Sequence, residues 1–177
     1  MVPKINIASF KTDLGELILG SYEEELCLCD WRYRKMRKVI DERIKQYFGA
    51  EFLLSGSEVI EKTKTQLTEY FYGQRKVFDL PLKLAGTEFQ KRVWESLMKI
   101  EYGQTKSYSS LSEELGDLKA IRAVASANGA NAISIIIPCH RIIGKDGSLV
   151  GYAGGLSAKK KLLALENKDI GTQLSLF

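Results

Sequence analysis

Histidine is nearly missing from this chain: among 177 residues there is one, His140, beside three cysteines and three prolines. A closed structural zinc site takes four ligands, mostly cysteine and histidine, so Cys27 and Cys29, two apart on one strand face, read as packing and not as half of a metal pair. Three cysteines are an odd number, which leaves no disulfide framework and suits a reducing compartment. No apolar run approaches the length that crosses a bilayer, and Met1-Val2-Pro3-Lys4 does not lead into a signal peptide, so a cytoplasmic location (nuclear in a eukaryote) is expected. Nor is there a dominant charge. The net value is +4, and residues 1–80 carry 13 Lys/Arg against 13 Asp/Glu, so the whole excess lies in residues 81–177, with 13 against 9. That asymmetry is compatible with a polyanionic partner without proving one. With 45% hydrophobic and 27% charged residues the chain has an ordinary globular composition and enough length for a core.

What is present is concentrated in Ile133-Ser134-Ile135-Ile136-Ile137-Pro138-Cys139-His140-Arg141-Ile142-Ile143-Gly144. β-Branched hydrophobes on both sides predict two short buried strands or extended arms around a rigid Pro-Cys-His corner. Pro138 fixes its own φ and biases Ile137 toward extended geometry, so the thiol of Cys139 is presented in a set direction. An inert core cysteine fits such an apolar run. A nucleophile needs a base or a positive environment, and His140 and Arg141 supply both kinds of group within two residues. Neighbours on a strand point to opposite faces, so a water is the natural proton carrier between thiol and imidazole.

The first part of the chain reads as a small α/β scaffold. Residues 5–31 predict strands, notably 15–20 and 25–31 around a charged turn at Glu23-Glu24. Residues 32–48 predict a helix with Met36, Val39, Ile40, Ile44 and Phe48 inward and Gly49 as its stop, and 57–72 a second helix with Val59, Ile60, Thr63, Leu67, Tyr70 and Phe71 inward. Residues 77–82 are extended and read as the way out of this domain. It offers no catalytic constellation of its own.

From Thr87 the pattern turns helical. Thr87 and Gln90 form a capping box for a helix with Phe89, Val93, Trp94, Leu97, Met98 and Ile100 inward. A short helix over 107–115 ends at Gly116, and Asp117 caps a further one over 118–127, the spacing of a helix-turn-helix. An αα-hairpin used only for packing has the same spacing. Against that, Ala120, Ala123, Ala125, Ser126 and Ala127 make a thin flank, with Lys119 and Arg122 as reaching cations, which suits a nucleic-acid groove. After a turn at 145–148, the run 151–155 brings glycines and Tyr152, which together suit close approach of a flat ligand. Ser157 is expected to cap the last helix, in which Leu162, Leu163 and Leu165 pack inward. Glu166 near that helix's C-terminus opposes the dipole and needs a partner, for which His140 is the candidate.

Pro138-Cys139-His140-Arg141 behind an isoleucine run, with Tyr108, Arg122, Asn131, Tyr152-Ala153-Gly154-Gly155 and Glu166 at matching spacings, resembles the O(6)-alkylguanine-DNA alkyltransferases, also called methylated-DNA–protein-cysteine methyltransferases, over residues 86–167. The resemblance implies an α/β N-terminal domain (1–82) and a mainly helical C-terminal domain (83–170) containing a winged-helix-like helix-turn-helix, with a tail at 171–177. It implies a DNA-repair function in which Cys139 takes the alkyl group from O(6)-alkylguanine, and from O(4)-alkylthymine, in one irreversible transfer per protein molecule, with no cofactor and no metal. Residue by residue, His140 oriented by Glu166 takes the thiol proton through a water, and Tyr108 assists the leaving base. Asn131 ties the helix-turn-helix to the Pro-Cys-His segment. Pro138, Tyr152, Ala153 and Ile142 line the pocket, the Cys139 and Ile142 carbonyls facing the exocyclic amine. At Ala153 many relatives carry serine. Arg122, with Tyr108, Lys119, Ala123 and Ser126 on the DNA, is the intercalating residue that turns the nucleotide out from the minor groove of duplex DNA. Some relatives carry a structural zinc in the N-terminal domain, but this chain lacks the histidines for it.

Two other classes compete with this reading. A lesion sensor resembling the alkyltransferase-like proteins would bind without transfer, which Cys139 argues against. A cysteine hydrolase is disfavoured because the histidine adjoins the thiol and no oxyanion-hole motif is visible. The end of the chain carries a separate signal. Gln173, Leu174, Leu176 and Phe177 look like the short peptide by which bacterial repair and replication proteins dock on the DNA sliding clamp, although a frayed terminus or packing on its own domain accounts for them equally. The chain is expected to be a monomer.

Overall fold

The computed structural model describes residues 1–167, so the expectations for the tail fall outside the described residues. The chain divides between Gly86 and Thr87 into two compact units.

The first unit is built on a four-stranded sheet in the order β3-β2-β1-β4, with β1 at Lys4–Thr12, β2 at Gly15–Tyr22, β3 at Glu25–Trp31 and β4 at Glu51–Leu54. β1–β2 and β2–β3 are antiparallel, and β4 adds to β1 in parallel. Glu23 and Glu24 both take positive φ, 50° and 60°, in the tight β2–β3 turn, the twist-matched geometry that Asn-Gly would adopt with less strain. β4 escapes the sequence reading because it has four residues, of which only Phe52 is even half-buried, too short and too exposed for a pattern to stand out.

Helix α1 (Arg37–Phe48) turns Ile40 and Ile44 inward and stops at Gly49, whose φ of 57° is left-handed. Met36 and Val39, expected inside, are 50% and 57% exposed. Met36 lies before the helix begins, and Val39 falls to the side of the inward stripe of Ile40 and Ile44. Helix α2 (Glu58–Phe71) is capped by Ser57, which accepts from Ile60 N, a contact worth about 1 kcal/mol. Its Val59, Ile60, Thr63, Leu67 and Tyr70 are buried. Cys27 and Cys29 lie in the core, where burial pushes the Cys27 thiol up to about 12 and the Cys29 thiol higher still. Such thiols stay protonated and inert. Leaving this unit, residue 82 runs parallel to Leu26, pinned by Leu26 N donating to Pro81 O and Lys83 N to Leu26 O.

The second unit is mainly helical. Helix α3 (Glu88–Met98) starts with the Thr87–Gln90 capping box and buries Val93, Trp94 and Leu97, while Met98 points outward, contrary to expectation. Helix α4 (Tyr108–Glu114) is capped by Ser107. A 3-10 turn at Leu118–Ala120, capped by Asp117, then runs into helix α5 (Ile121–Gly129). The indole of Trp94 donates to Ala127 O at 2.8 Å, fastening α5 to α3. Ala127 therefore belongs to the core and not to the outward thin flank. Lys106–Ser107 (β5) and Ile142–Ile143 (β6) form a two-residue parallel ladder. Helix α6 (Leu156–Glu166) starts after Gly155, whose φ is 87°. Ser157 thus sits inside the helix and caps nothing, because the glycine turn hands the chain over two residues earlier.

Candidate functional site

The isoleucine run before Cys139 is not a strand but a chain of tight turns. Ile136 N donates to Ser134 O and Ile137 N to Ile133 O, with Ile135 at a φ of +72°. For a β-branched residue that conformation is an outlier costing about 1–3 kcal/mol, and it holds only where the surroundings over-determine it. Asn131 supplies that constraint. Its Oδ1 accepts from Ile133 N at 2.9 Å and its Nδ2 donates to Ile137 O at 2.9 Å, all buried. β-Propensity loses here because the hydrogen bonds from Ile133 to Ile137 are closed locally, largely around one amide side chain.

Pro138 takes φ −81° and ψ 62°, and Cys139 N donates to Ile137 O at 2.8 Å. This is an inverse γ-turn. It feeds a single 3-10 turn, Cys139–Arg141, so the thiol and imidazole are about a third of a turn apart instead of on opposite strand faces. Both are buried, and His140 is wholly so.

His140 Nε2 lies 2.7 Å from Glu166 Oε1. The same carboxylate accepts from Arg141 Nε at 2.8 Å and from Arg141 Nη2 at 2.9 Å, while Arg141 Nη1 donates to Ile100 O at 2.6 Å. Burial pushes the Glu166 carboxyl up, but hydrogen bonds from His140 and Arg141 and their charges outweigh it and hold it well below the usual carboxylate range. It is therefore ionised and can only accept. Burial holds His140 below its ordinary value against the pull of Glu166, with Arg141 and Lys159 adding to the depression. A neutral imidazole that donates from Nε2 carries its lone pair on Nδ1. That Nδ1 is buried and has no hydrogen-bond partner among the described residues. The site thus holds a bare base nitrogen one residue from a thiol.

Two contacts of the site went unread in the sequence, that of Arg141 with Glu166 and that of Lys159 with Ile142. The bidentate grip of Arg141 on Glu166 has no local signature beyond adjacency to His140. Lys159 left a signal: with Leu162, Leu163 and Glu166 it falls on one helical stripe, so a charged residue was placed among inward positions. It is fully buried, and Nζ donates to Ile142 O at 2.5 Å, Val150 O at 3.0 Å and Gly151 O at 3.1 Å. Burial draws its pKa down to about 8, with Cys139 acting the other way. One acceptor position of the Ile142 carbonyl, expected to face a base's exocyclic amine, is taken by this ammonium.

Around this centre, Tyr108 hydrogen-bonds Val150 O at 3.3 Å, and its hydroxyl is pushed above the ordinary phenol value by burial first and Cys139 second. Tyr152 sits edge-on to His140, with ring centroids 6.4 Å apart. Pro138 and Ile142 are buried, and Tyr152 and Ala153 are half-buried. Lys119, Arg122, Ala123 and Ser126 are exposed on the 3-10 turn and α5, apart from the buried centre. Among the described residues no group of three or more His, Cys, Asp or Glu could hold a metal ion, and no helix is long and apolar enough to cross a membrane.

Residues 5–84 match the ribonuclease-like domain of 6-O-methylguanine DNA methyltransferase, and residues 88–168 match the DNA binding domain of the same family. The chain is 51% identical over 112 residues to the methylated-DNA–protein-cysteine methyltransferase of Mycolicibacterium paratuberculosis, covering 63% of this chain and 68% of that protein. To the protein of that name from Methanosarcina acetivorans it is 42% identical over 159 residues, covering 90% and 96%. Among solved structures, Mycobacterium tuberculosis OGT in complex with DNA is similar at a TM-score of 0.78 and 34% identity, covering 93% of each chain. The O6-methylguanine methyltransferase of that organism reaches 0.76 at 35% identity, covering 98% and 99%.

Proposed function

Since the chain belongs to the 6-O-methylguanine DNA methyltransferase family, we propose that it binds DNA and repairs O6-methylguanine by moving the methyl group onto its own Cys139. The observation that carries the assignment to Cys139 is the pairing of His140 Nε2 with Glu166, which favours the tautomer with a free lone pair on Nδ1, one residue along the chain from the thiol. The thiol proton passes through a water to Nδ1. The sulfur attacks the methyl carbon in line, the carbon–O6 bond breaks, and its electron pair stays on guanine. Tyr108 hydrogen-bonds the base as that charge develops, and the guanine anion becomes guanine by taking up one proton, made good by the thiol proton that His140 gives back. Thiol and methylguanine become thioether and guanine, so each protein molecule acts once. O(4)-alkylthymine presents the same alkyl–oxygen bond and is a second substrate.

A buried sulfur cannot meet a methyl group stacked in a duplex, so the nucleotide must be turned out. Arg122 enters the minor groove and fills the gap, flanked by Lys119, Ala123 and Ser126, a reading that the exposure of all four supports. That groove carries little sequence information, which suits repair at any site. Gln173, Leu174, Leu176 and Phe177 supply one register-setting amide and three apolar anchors, the pattern for docking on a DNA sliding clamp. The protein acts as a monomer in the cytoplasm.

Intact mass after incubation with a duplex containing O6-methylguanine tests the reading. A permanent gain of one methyl group on Cys139 is expected. DNA retention without mass gain would make the protein a lesion sensor, and release of free methylated product with turnover would make it a hydrolase. For the tail, a peptide of residues 171–177 should bind purified clamp, and deleting 173–177 should abolish clamp binding without slowing transfer to short oligonucleotides.

A further inference from the structure

On α5, which bears Arg122, and on the 3-10 turn before it, the structure leaves two large apolar side chains partly in the open. Leu118 is 56% exposed and Ile121 39%. The core-facing positions of α5 are Val124, Ala127 and Asn128, and the preceding 3-10 turn buries none of its residues. Scattered exposed leucines are ordinary on any surface. These two are not scattered: they lie three residues apart where the 3-10 turn Leu118–Ala120 runs into α5, Ile121 already taking the α-helical φ −52° and ψ −44°. Residues three apart lie on the same side of the chain in a 3-10 turn and in an α-helix alike. Leu118 and Ile121 therefore line up as one apolar ridge, and Lys119 and Arg122, by the same spacing, as a parallel cationic ridge beside it.

Resting on the repair reading above, we propose that the Leu118–Ile121 ridge is a wedge that bears on the deoxyribose wall of the minor groove while Arg122 occupies the space of the turned-out nucleotide. The cationic ridge selects the occupant: a phosphate-lined groove meets Lys119 and Arg122, and its apolar interior surface, the sugar edges, meets Leu118 and Ile121. Apolar wedges beside cations are how minor-groove proteins hold a distorted duplex open. The ridge supplies contact area that exists only when the groove is widened. It therefore favours the turned-out state over simple non-specific binding, which the phosphate contacts supply. Leu118 and Ile121 touch no reacting atom in this account and act as positioning residues.

The test compares wild type with the pair Leu118→Ala and Ile121→Ala on three probes: a short duplex with O6-methylguanine, the same strand unpaired, and the free modified base. Losing about half the burial value of each side chain should slow transfer to the duplex by about thirtyfold, with the free-base rate unchanged and the single strand in between. The slope of binding affinity against salt should stay at the wild-type value, because no cation is lost, whereas Lys119→Ala should lower it by about one. Ile121→Met should keep most of the duplex rate. A pair variant that matches wild type on the duplex, loses equally on the free base, or changes the salt slope would overturn the wedge. If the pair melts below wild type, Leu118→Ala alone carries the same comparison from the more exposed position. Wild-type protein that gains no methyl from any probe refutes the repair reading itself, while an active wild type equalled by the variant refutes only the wedge.

Discussion

His140 Nε2 and Glu166 Oε1 lie 2.7 Å apart across 26 residues of sequence, and both side chains are buried. The carboxylate also neutralises Arg141, so it is shared between orienting the imidazole and satisfying an interior guanidinium. Removing its charge has two separable consequences.

Glu166→Gln should slow methyl transfer because an amide can present either end to Nε2 and no longer fixes the tautomer. The deficit should shrink as pH rises and the thiol ionises without help. The same change strands Arg141 and should lower unfolding stability by about 3–5 kcal/mol. Rate profiles over pH together with chemical denaturation check both, and a deficit independent of pH would exclude the relay.

Acid should destabilise this unit earlier than carboxylates alone would. Burial holds His140 below its ordinary value of 6.5, and Glu166 lies below the carboxylate range. When folded-state values are depressed, the unfolded chain binds protons first, so the stabilisation is fully present above the unfolded values and is lost as pH falls. Loss should begin near pH 6.5 with His140 and deepen below about pH 4.3 with Glu166. Denaturation midpoints flat from about pH 7 to about pH 5 would contradict this.

Much of this architecture was legible, and the failures have physical causes. The Thr87–Gln90 box, Gly49 and Gly116 are local signals with local mechanisms, and they mark element ends. The isoleucine run misled because β-propensity describes side chains, whereas the backbone there is captured by one buried amide, Asn131. Met36 and Met98 misled because an apolar residue at helical spacing is inward only if the helix is in register with it. Glu166 was legible as a carboxylate in need of a partner. The grip of Arg141 on Glu166 was not, and Lys159 showed only as a charge on an inward stripe, since a charged side chain advertises solvent until tertiary structure surrounds it.

Asn131→Ala should cost about 1–3 kcal/mol for each backbone group left unsatisfied, chiefly Ile133 N–H and Ile137 C=O. Release of the strain at Ile135 should offset part of this. Transfer should fall more than stability suggests, because the turn that aims Cys139 loses its template. A variant that is destabilised yet reacts at the wild-type rate would show that the turn holds itself.

Cys139→Ala should abolish transfer and leave DNA affinity within a fewfold of wild type, because the side chain is buried while Lys119 and Arg122 are exposed. Gel-shift titration against lesion-bearing duplex measures the affinity, and loss of both activities together would mean that the cysteine is structural.

Arg122→Ala separates extrusion from bond breaking. The side chain is exposed on α5, and Arg122 is not among the charges that act on His140 or Glu166, so its removal leaves the relay to the thiol as it is. On the free modified base, where nothing must be turned out, the variant should react at the wild-type rate. On duplex it should lose the contact that fills the vacated stack, a penalty of about a few kcal/mol and hence about a hundredfold in rate. A mismatch opposite the lesion lowers the cost of extrusion and should recover part of that loss. Equal losses on free base and duplex, or no recovery with the mismatch, would place Arg122 outside extrusion and return it to simple phosphate binding.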